Sequence, residues 1–232
     1  QKQLRDYFIL NKPKDIVSGD FYWATKTDDG KLFFFTADCT GHGVPGAFMS
    51  LIGVSLLNEI VIEKKVRATN EILNLLREEI IRSLNPDDTG ANLDKGVMDG
   101  MDGVLCMYDE KKMELEFSCA NNPLWIFRNG TISIFPADKM PIGKHQGEEK
   151  PFSKNSFDLQ KGDIIYMFSD GYADQFGGPQ GKKFKYKQLQ ELIIANANRS
   201  LSQQKEILDI KFEEWRSGLE QVDDVLVVGI KI

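Results

Sequence analysis

The sequence predicts an α+β domain built in layers, two antiparallel sheets packed together with a helix pair on each outer face. Three observations point there. Strand-like segments come in hairpins, helix-like segments come in pairs, and the regular strand-helix alternation of parallel βαβ units is missing. Tyr22 to Thr27, a turn at Asp28-Asp29-Gly30, and the aromatic-rich Lys31 to Ala37 read as the first hairpin. After the glycine-rich ADCTGHGVPG, Phe48, Leu51, Ile52, Leu56 and Ile60 recur at helical spacing. Glu71 to Leu84 repeats the pattern through Ile72, Leu75, Leu76, Ile80 and Leu84. From Gly103 the text turns strand-like again: GVLCMYD, a DEKK turn, MELEFSCA, then LWIFR and TISIF joined by Asn129-Gly130. These four read as one antiparallel meander. Asp163 to Ser169 is a nearly continuous apolar strand, Leu189, Leu192 and Ile193 begin a second helix pair, and Leu208, Phe212 and Trp215 continue it. Val225 to Ile230 closes the last sheet, which suggests a native C-terminus. Pro136 to Pro151 is the least regular stretch and is expected to be a mobile flap.

No repeat or low-complexity linker divides the 232 residues, so one domain spanning 1–232 is expected. Basic and acidic residues number 29 and 35, a net charge of −6, with a pI near 5.1. Such a chain offers no broad basic surface to nucleic acid, although a small local basic patch is compatible with the count. Cys39, Cys106 and Cys119 include no CxxC pair, which argues against a disulfide framework or a cysteine zinc site and for a reducing, cytoplasmic setting. No apolar run approaches the ~20 residues of a membrane span, so no membrane contact is expected. The first residue is Gln1 and no signal-peptide layout follows, so the domain is expected to be the C-terminal part of something longer.

Four aspartates border apolar strands: Asp20 in VSGDFYW, Asp38 in FFFTADCTGHG, Asp170 in YMFSDGYAD and Asp223 in QVDDVLVV. Carboxylates converging at the rim of a core repel one another unless a cation lies between them, and oxygen donors without a His or Cys cluster favour magnesium or manganese over zinc. An Asp-Gly pair is ordinarily a turn, and Asp28, Asp29, Asp87 and Asp88 read that way. Asp38 and Asp170 differ because LFFFTAD and DIIYMFSD each run an apolar strand straight into the carboxylate. Gly41 and Gly43 read as permitting a tight strand-to-helix crossing. His42 is either a general acid or a packed loop residue, and Ser169 lacks the GxSxG context of a nucleophile.

Together, VSGDFYW, ADCTGHGVPGAFM, FSDGYAD and QVDDVLVVGI resemble the metal-dependent protein phosphatases of type 2C, in the bacterial branch that contains the stage II sporulation protein E. The resemblance runs from about residue 7 to 232 and implies a four-layer αββα sandwich around two Mn2+ or Mg2+ ions. It implies that Asp38 bridges both ions, that the Cys39 backbone carbonyl and Asp170 are further ligands, that Asp223 is the terminal ligand, and that Asp20 holds an ion or its water. Asp224 stands where the wider family often has Asn and ranks below Asp223. The implied activity is hydrolysis of phosphoserine or phosphothreonine by water shared between the two ions, with Asp38 and Asp170 catalytic through that water.

The chain departs from the wider family in two places. Thr40 occupies the position of a histidine proposed as general acid, and no motif surrounds Arg5, the candidate phosphate-gripping arginine. Asp99 and Asp102 fall where the family sometimes binds a weaker third ion. The implied partners are a phosphorylated regulator, such as an anti-sigma-factor antagonist, and an upstream sensor or regulatory domain whose helices can form a homodimer. The competing reading is an inactive module of the same fold that binds a phosphorylated partner without turnover.

Overall fold

Strand β3, Leu32–Cys39, sets the layering. Side chains alternate across a strand, so Phe33, Phe35, Ala37 and Cys39 pack toward helices while Leu32 and Phe34 pack toward the other sheet. The same alternation organises the rest of the chain, for which the computed structural model describes residues 6–84, 99–147 and 150–232. One sheet is ordered β2 (Phe21–Lys26), β3, β4 (Gly100–Asp109), β5 (Glu114–Ala120) and β9 (Asn155–Asp158), with the short β8 (Ile142–Gly143) against the start of β4. The other is ordered β1 (Asp6–Lys12), β13 (Val225–Lys231), β10 (Ile164–Phe168), β6 (Leu124–Arg128) and β7 (Thr131–Phe135). Neighbouring strands in both sheets are antiparallel.

Helices α1 (Gly43–Leu57, continued by a wider π-helical segment to Glu63) and α2 (Thr69–Leu84) cover the first sheet. On the other sheet lie α4 (Lys185–Asn196) and α5 (Leu201–Arg216). Buried Leu57, Ile60, Ile72 and Leu76 seal one outer layer, and Leu189, Leu208 and Phe212 the other. Between the sheets, Val104, Cys106, Ile126, Ile165, Met167, Leu226 and Val228 form the central layer. Each such side chain contributes about 1.5–3 kcal/mol on burial. The architecture is the αββα sandwich. A short helix, α3 (Gly171–Asp174), and a small hairpin, β11 (Phe176–Gly177) with β12 (Lys182–Lys183), lie between β10 and α4.

Three expectations change. The four-strand meander is split, because β4 and β5 stay in one sheet while β6 and β7 belong to the other. Asn121 adopts a left-handed φ of 54°, its N–H donates to the Asp138 carbonyl, and Pro123 has no N–H to extend the ladder. The chain therefore leaves the first sheet at Asn121, and β9 takes the vacated edge of β5. The stretch from Pro136 is a strap rather than a flap over its first half. Met140 and Ile142 are buried, and β8 pairs with Gly100 and Met101. Strand β1 was not anticipated from DYFILNK, whose charged and polar ends hide the inward Phe8 and Leu10. Arg5, Asp87 and Asp88 lie outside the described residues.

Candidate metal centre

Strand parity brings the carboxylates to one place. Asp38 shares the inter-sheet face of Leu32 and Phe34, Asp102 that of Val104 and Cys106, and Asp224 that of Leu226 and Val228. Asp20 precedes Phe21, whose ring points to the helices, so Asp20 takes the opposite face. All four stand where the two sheets' strands end or begin, and Asp170 follows the last inter-sheet position of the β10 run, Ser169.

Local backbone chemistry fixes this rim. Gly41 and Gly43 have φ values of 82° and 64°, which turn the chain from β3 into α1 as the sequence suggested. A Cβ at Gly19 would stand 2.6 Å from the Gly41 carbonyl and 3.4 Å from the Cys39 carbonyl, so the segment carrying Asp20 passes backbone to backbone against the one carrying Asp38. Asp170 N–H donates to Asp38 Oδ2 at 3.3 Å. Ser169 Oγ accepts from Leu226 N–H at 2.9 Å. Asp20 is 5% exposed, and its Oδ2 is buried with no hydrogen-bond partner.

The electrostatics are those of uncompensated negative charge. Burial, followed by the charges of Asp20 and Asp170, pushes the Asp38 carboxyl up to about 9. Burial, with Asp224, Asp223 and Asp170 adding to it, pushes Asp20 up to about 8. Asp170 is raised to about 6 by burial and then by Asp174, Asp223 and Asp102, with Lys183 opposing. Asp102 is raised by burial, and the 2.8 Å hydrogen bond from Asn121 Nδ2 opposes the shift. It lies directly opposite Asp38 in the β3–β4 register. Among the described residues no three His, Cys, Asp or Glu side chains are close enough to enclose one ion as placed. The carboxylates feel one another's charge without touching, as like charges do. An orphaned buried carboxylate oxygen amid oxygen-only donors fits a hard divalent cation.

The two neighbouring aspartates near the C-terminus separate cleanly. Asp224 is 2% exposed and spends both oxygens on backbone, accepting Lys14 N–H at 2.7 Å and Gly19 N–H at 2.8 Å. Asp223 is half-buried, accepts the Asp224 N–H at 2.8 Å, and adds its charge to Asp20 and Asp170. His42 is neither a packed residue nor part of the rim. It precedes α1 at the surface, with Nδ1 2.6 Å from Asp15 Oδ2 and Nε2 3.0 Å from Lys14 Nζ. Thr40 Oγ1 bridges the backbone of Gly100, 3.2 Å from both its carbonyl and its N–H. Asp99 is half-buried just before β4.

Sequence reasoning missed two supports. Ser169, which lacks a nucleophile's context, joins the end of β10 to β13 by exchanging hydrogen bonds with Leu226, and its place at the end of an inward-facing run is the signal for that role. Gln175, fully buried, donates Nε2 to the carbonyls of Phe176 and Glu220 at 3.0 Å and accepts Val222 N–H at 3.1 Å. It thereby ties the loop carrying Asp223 to the segment carrying Asp170, a role no local pattern displays.

A family model described as stage II sporulation protein E (SpoIIE) matches residues 28–232. No curated protein sequence is significantly similar to the chain. Among solved structures, the SiaA-PP2C domain of Pseudomonas aeruginosa is 26% identical with a TM-score of 0.85, over 97% of this chain and 85% of that one. The PP2C phosphatase domain of SpoIIE from Bacillus subtilis, solved with a fragment of its regulatory domain, is 20% identical with a TM-score of 0.77, over 98% and 63%. The RsbU and RsbW domains of a Mycobacterium tuberculosis protein are 17% identical with a TM-score of 0.71, over 98% and 60%. The last two matches, below 25% identity, establish the shared fold.

Proposed function

We propose, because the chain belongs to the SpoIIE family and is by class a serine/threonine protein phosphatase, that Asp20, Asp38, Asp170, Asp223 and the Cys39 carbonyl hold two Mn2+ or Mg2+ ions. The substrate is a phosphorylated regulatory protein, encountered in the cytoplasm and presented under the control of an upstream domain. One observation carries the reading: Asp20, Asp38 and Asp170, remote in sequence, meet at a single rim, where the Asp170 N–H donates to Asp38 and the Asp38 carboxyl is raised by burial and then by the charges of Asp20 and Asp170.

Bound divalent cations supply the charge that neutralises phosphoryl oxygens and acidifies a water. The chain's own residues supply position. Asp38 is oriented by the Asp170 amide, and Asp223 by the Gln175 latch and the Asp224 amide. Asp224 contributes by holding Gly19, and so Asp20, against the rim. With Thr40 committed to Gly100 and His42 to Asp15, neither is poised to protonate a leaving serine or threonine, whose oxygen takes its proton from water. Hydrolysis breaks the phosphorus–oxygen ester bond with water as the entering group and leaves the alcohol and inorganic phosphate.

The test combines turnover with binding. The protein should release phosphate from a phosphothreonine peptide in Mn2+, and Asp38→Asn should abolish this together with Mn2+ binding by calorimetry. Phosphopeptide binding with no turnover in Mn2+ or Mg2+ would instead support the inactive-module reading. Full turnover in excess chelator would overturn the metal assignment.

A further inference from the structure

Beside the acidic rim the chain carries GKKFKYK, residues 181–187, and displays Lys182, Lys183, Lys185 and Lys187 to solvent. Lys183 pairs with Asp174 at 2.7 Å, while among the described residues Lys182, Lys185 and Lys187 have no ion-pair partner. In a chain of net charge −6 this is a concentrated reversal of sign. The lysines stand on a rigid platform. Gly178 N–H donates to the Trp215 carbonyl at 2.8 Å, and Trp215 Nε1 donates to the Gln175 carbonyl at 3.0 Å. A Cβ at Gly177 would overlap the Trp215 backbone, so the β11–β12 hairpin lies directly on the end of α5. Between hairpin and helices is a surface pocket of about 290 Å³ lined by Lys182, Lys183, Lys185, Gln188, Pro179 and Trp215.

This platform adjoins the carboxylate rim. Asp174, the partner of Lys183, ends the four-residue helix that begins after Asp170, a span of about 6 Å. A ligand seated on the free lysines therefore lies beside any phosphate ester held at the rim.

We propose that the β11–β12 hairpin and the first turn of α4 form a docking surface for an acidic segment next to the phosphorylated residue of the protein substrate. The inference rests on the phosphatase reading above and adds what that reading lacks, a chemical mark by which substrate is chosen. Charge complementarity selects the occupant. Three unpaired point charges spread over one turn and a hairpin suit a short run of Asp and Glu side chains. A nucleic acid or an anionic membrane would extend past the lysines onto the acidic rim and the acidic remainder of the surface, where it is repelled.

The experiment compares a phosphothreonine peptide followed by four aspartates with the same peptide followed by four serines, and uses p-nitrophenyl phosphate as a small ester. The natural chain should hydrolyse the acidic peptide with kcat/KM about tenfold higher through KM, and the preference should fade as salt rises. The triple variant Lys182→Glu, Lys185→Glu, Lys187→Glu should lose that preference while retaining its melting temperature and its turnover of the small ester. A variant that keeps the preference overturns the proposal. So does a natural chain whose lysines bind phosphatidylserine vesicles but do not distinguish the two peptides. If the natural chain hydrolyses neither peptide nor small ester in Mn2+ or Mg2+, the phosphatase reading fails on its own. Fluorescence anisotropy of the labelled acidic peptide on natural and variant chains then still decides docking, with tighter binding to the natural chain expected and equal binding refuting it.

Discussion

Replacing Asp38 with Asn in cation-free protein should stabilise the fold while destroying the site. The Asp38 carboxyl, ordinarily near 3.8, is raised to about 9 by burial and by Asp20 and Asp170. Between those two values the folded chain retains a proton that the unfolded chain has released, so its stability falls as pH rises from about 4 toward 9. At pH 8 the difference is about 4 units, and at 1.36 kcal/mol per unit the ceiling is about 5–6 kcal/mol. Asp20 and Asp170 share the repulsion, and a buried amide in place of the carboxyl gives back about 1–2 kcal/mol for imperfect hydrogen bonding. A net gain of about 1–3 kcal/mol at pH 8 is expected, shrinking to nothing or reversing near pH 4. Urea denaturation in chelator at both pH values, natural chain against variant, measures it. Adding Mn2+ should then raise the stability of the natural chain and leave the variant unmoved. A variant less stable than the natural chain at pH 8, with the same difference at pH 4, would refute the argument, because Asp38 would then be a net stabilising group rather than one of several crowded charges.

Three further outcomes follow from the contacts around the rim. Asp224→Ala strands the Lys14 and Gly19 amides together and should cost about 2–4 kcal/mol in chemical denaturation, whatever the metal content. Gln175→Ala leaves the Phe176 and Glu220 carbonyls and the Val222 amide without their partner. It should cost about 3 kcal/mol and weaken Mn2+ binding about tenfold by calorimetry, through the loosened Asp223 loop. Gly171→Ala places a methyl group onto the Asp224 carbonyl. At least about 2 kcal/mol of stability and most phosphate release should be lost, read by melting and by a colorimetric phosphate assay.

Much of this was readable from the sequence where short-range chemistry and long-range function coincide. LFFFTAD advertises Asp38 because strand periodicity puts it on the inter-sheet face of Leu32 and Phe34, and DIIYMFSD advertises Asp170 as the carboxylate that directly follows a buried apolar strand. The glycines at 41 and 43 were legible for a similar local reason, a turn that only a permissive backbone can make. The meander was misjudged because MELEFSCA and LWIFR look like consecutive strands of any hairpin. Only the Asn121 turn and the competing claim of β9 on the β5 edge divert the chain into the other sheet. Asp223 and Asp224 could not be told apart by spacing, since the distinction lies in amides contributed by Lys14 and Gly19 from the far end of the chain. The same holds for Gln175, whose partners at Glu220 and Val222 are remote in sequence. The lysines of GKKFKYK were visible as a run, and what gives them meaning, the short step to Asp170, is tertiary.

The clamp between Asp224 and Lys14 joins positions 210 residues apart, and β1 pairs along its length with β13. During translation the first half of the rim must therefore wait, already out of the ribosome, for the final strand to emerge before Gly19 and Asp20 can be seated. A polypeptide without the last strand would carry Asp38 and its flanking helix but lack both the pairing partner of β1 and the Asp224 carboxylate that holds Gly19 beside them.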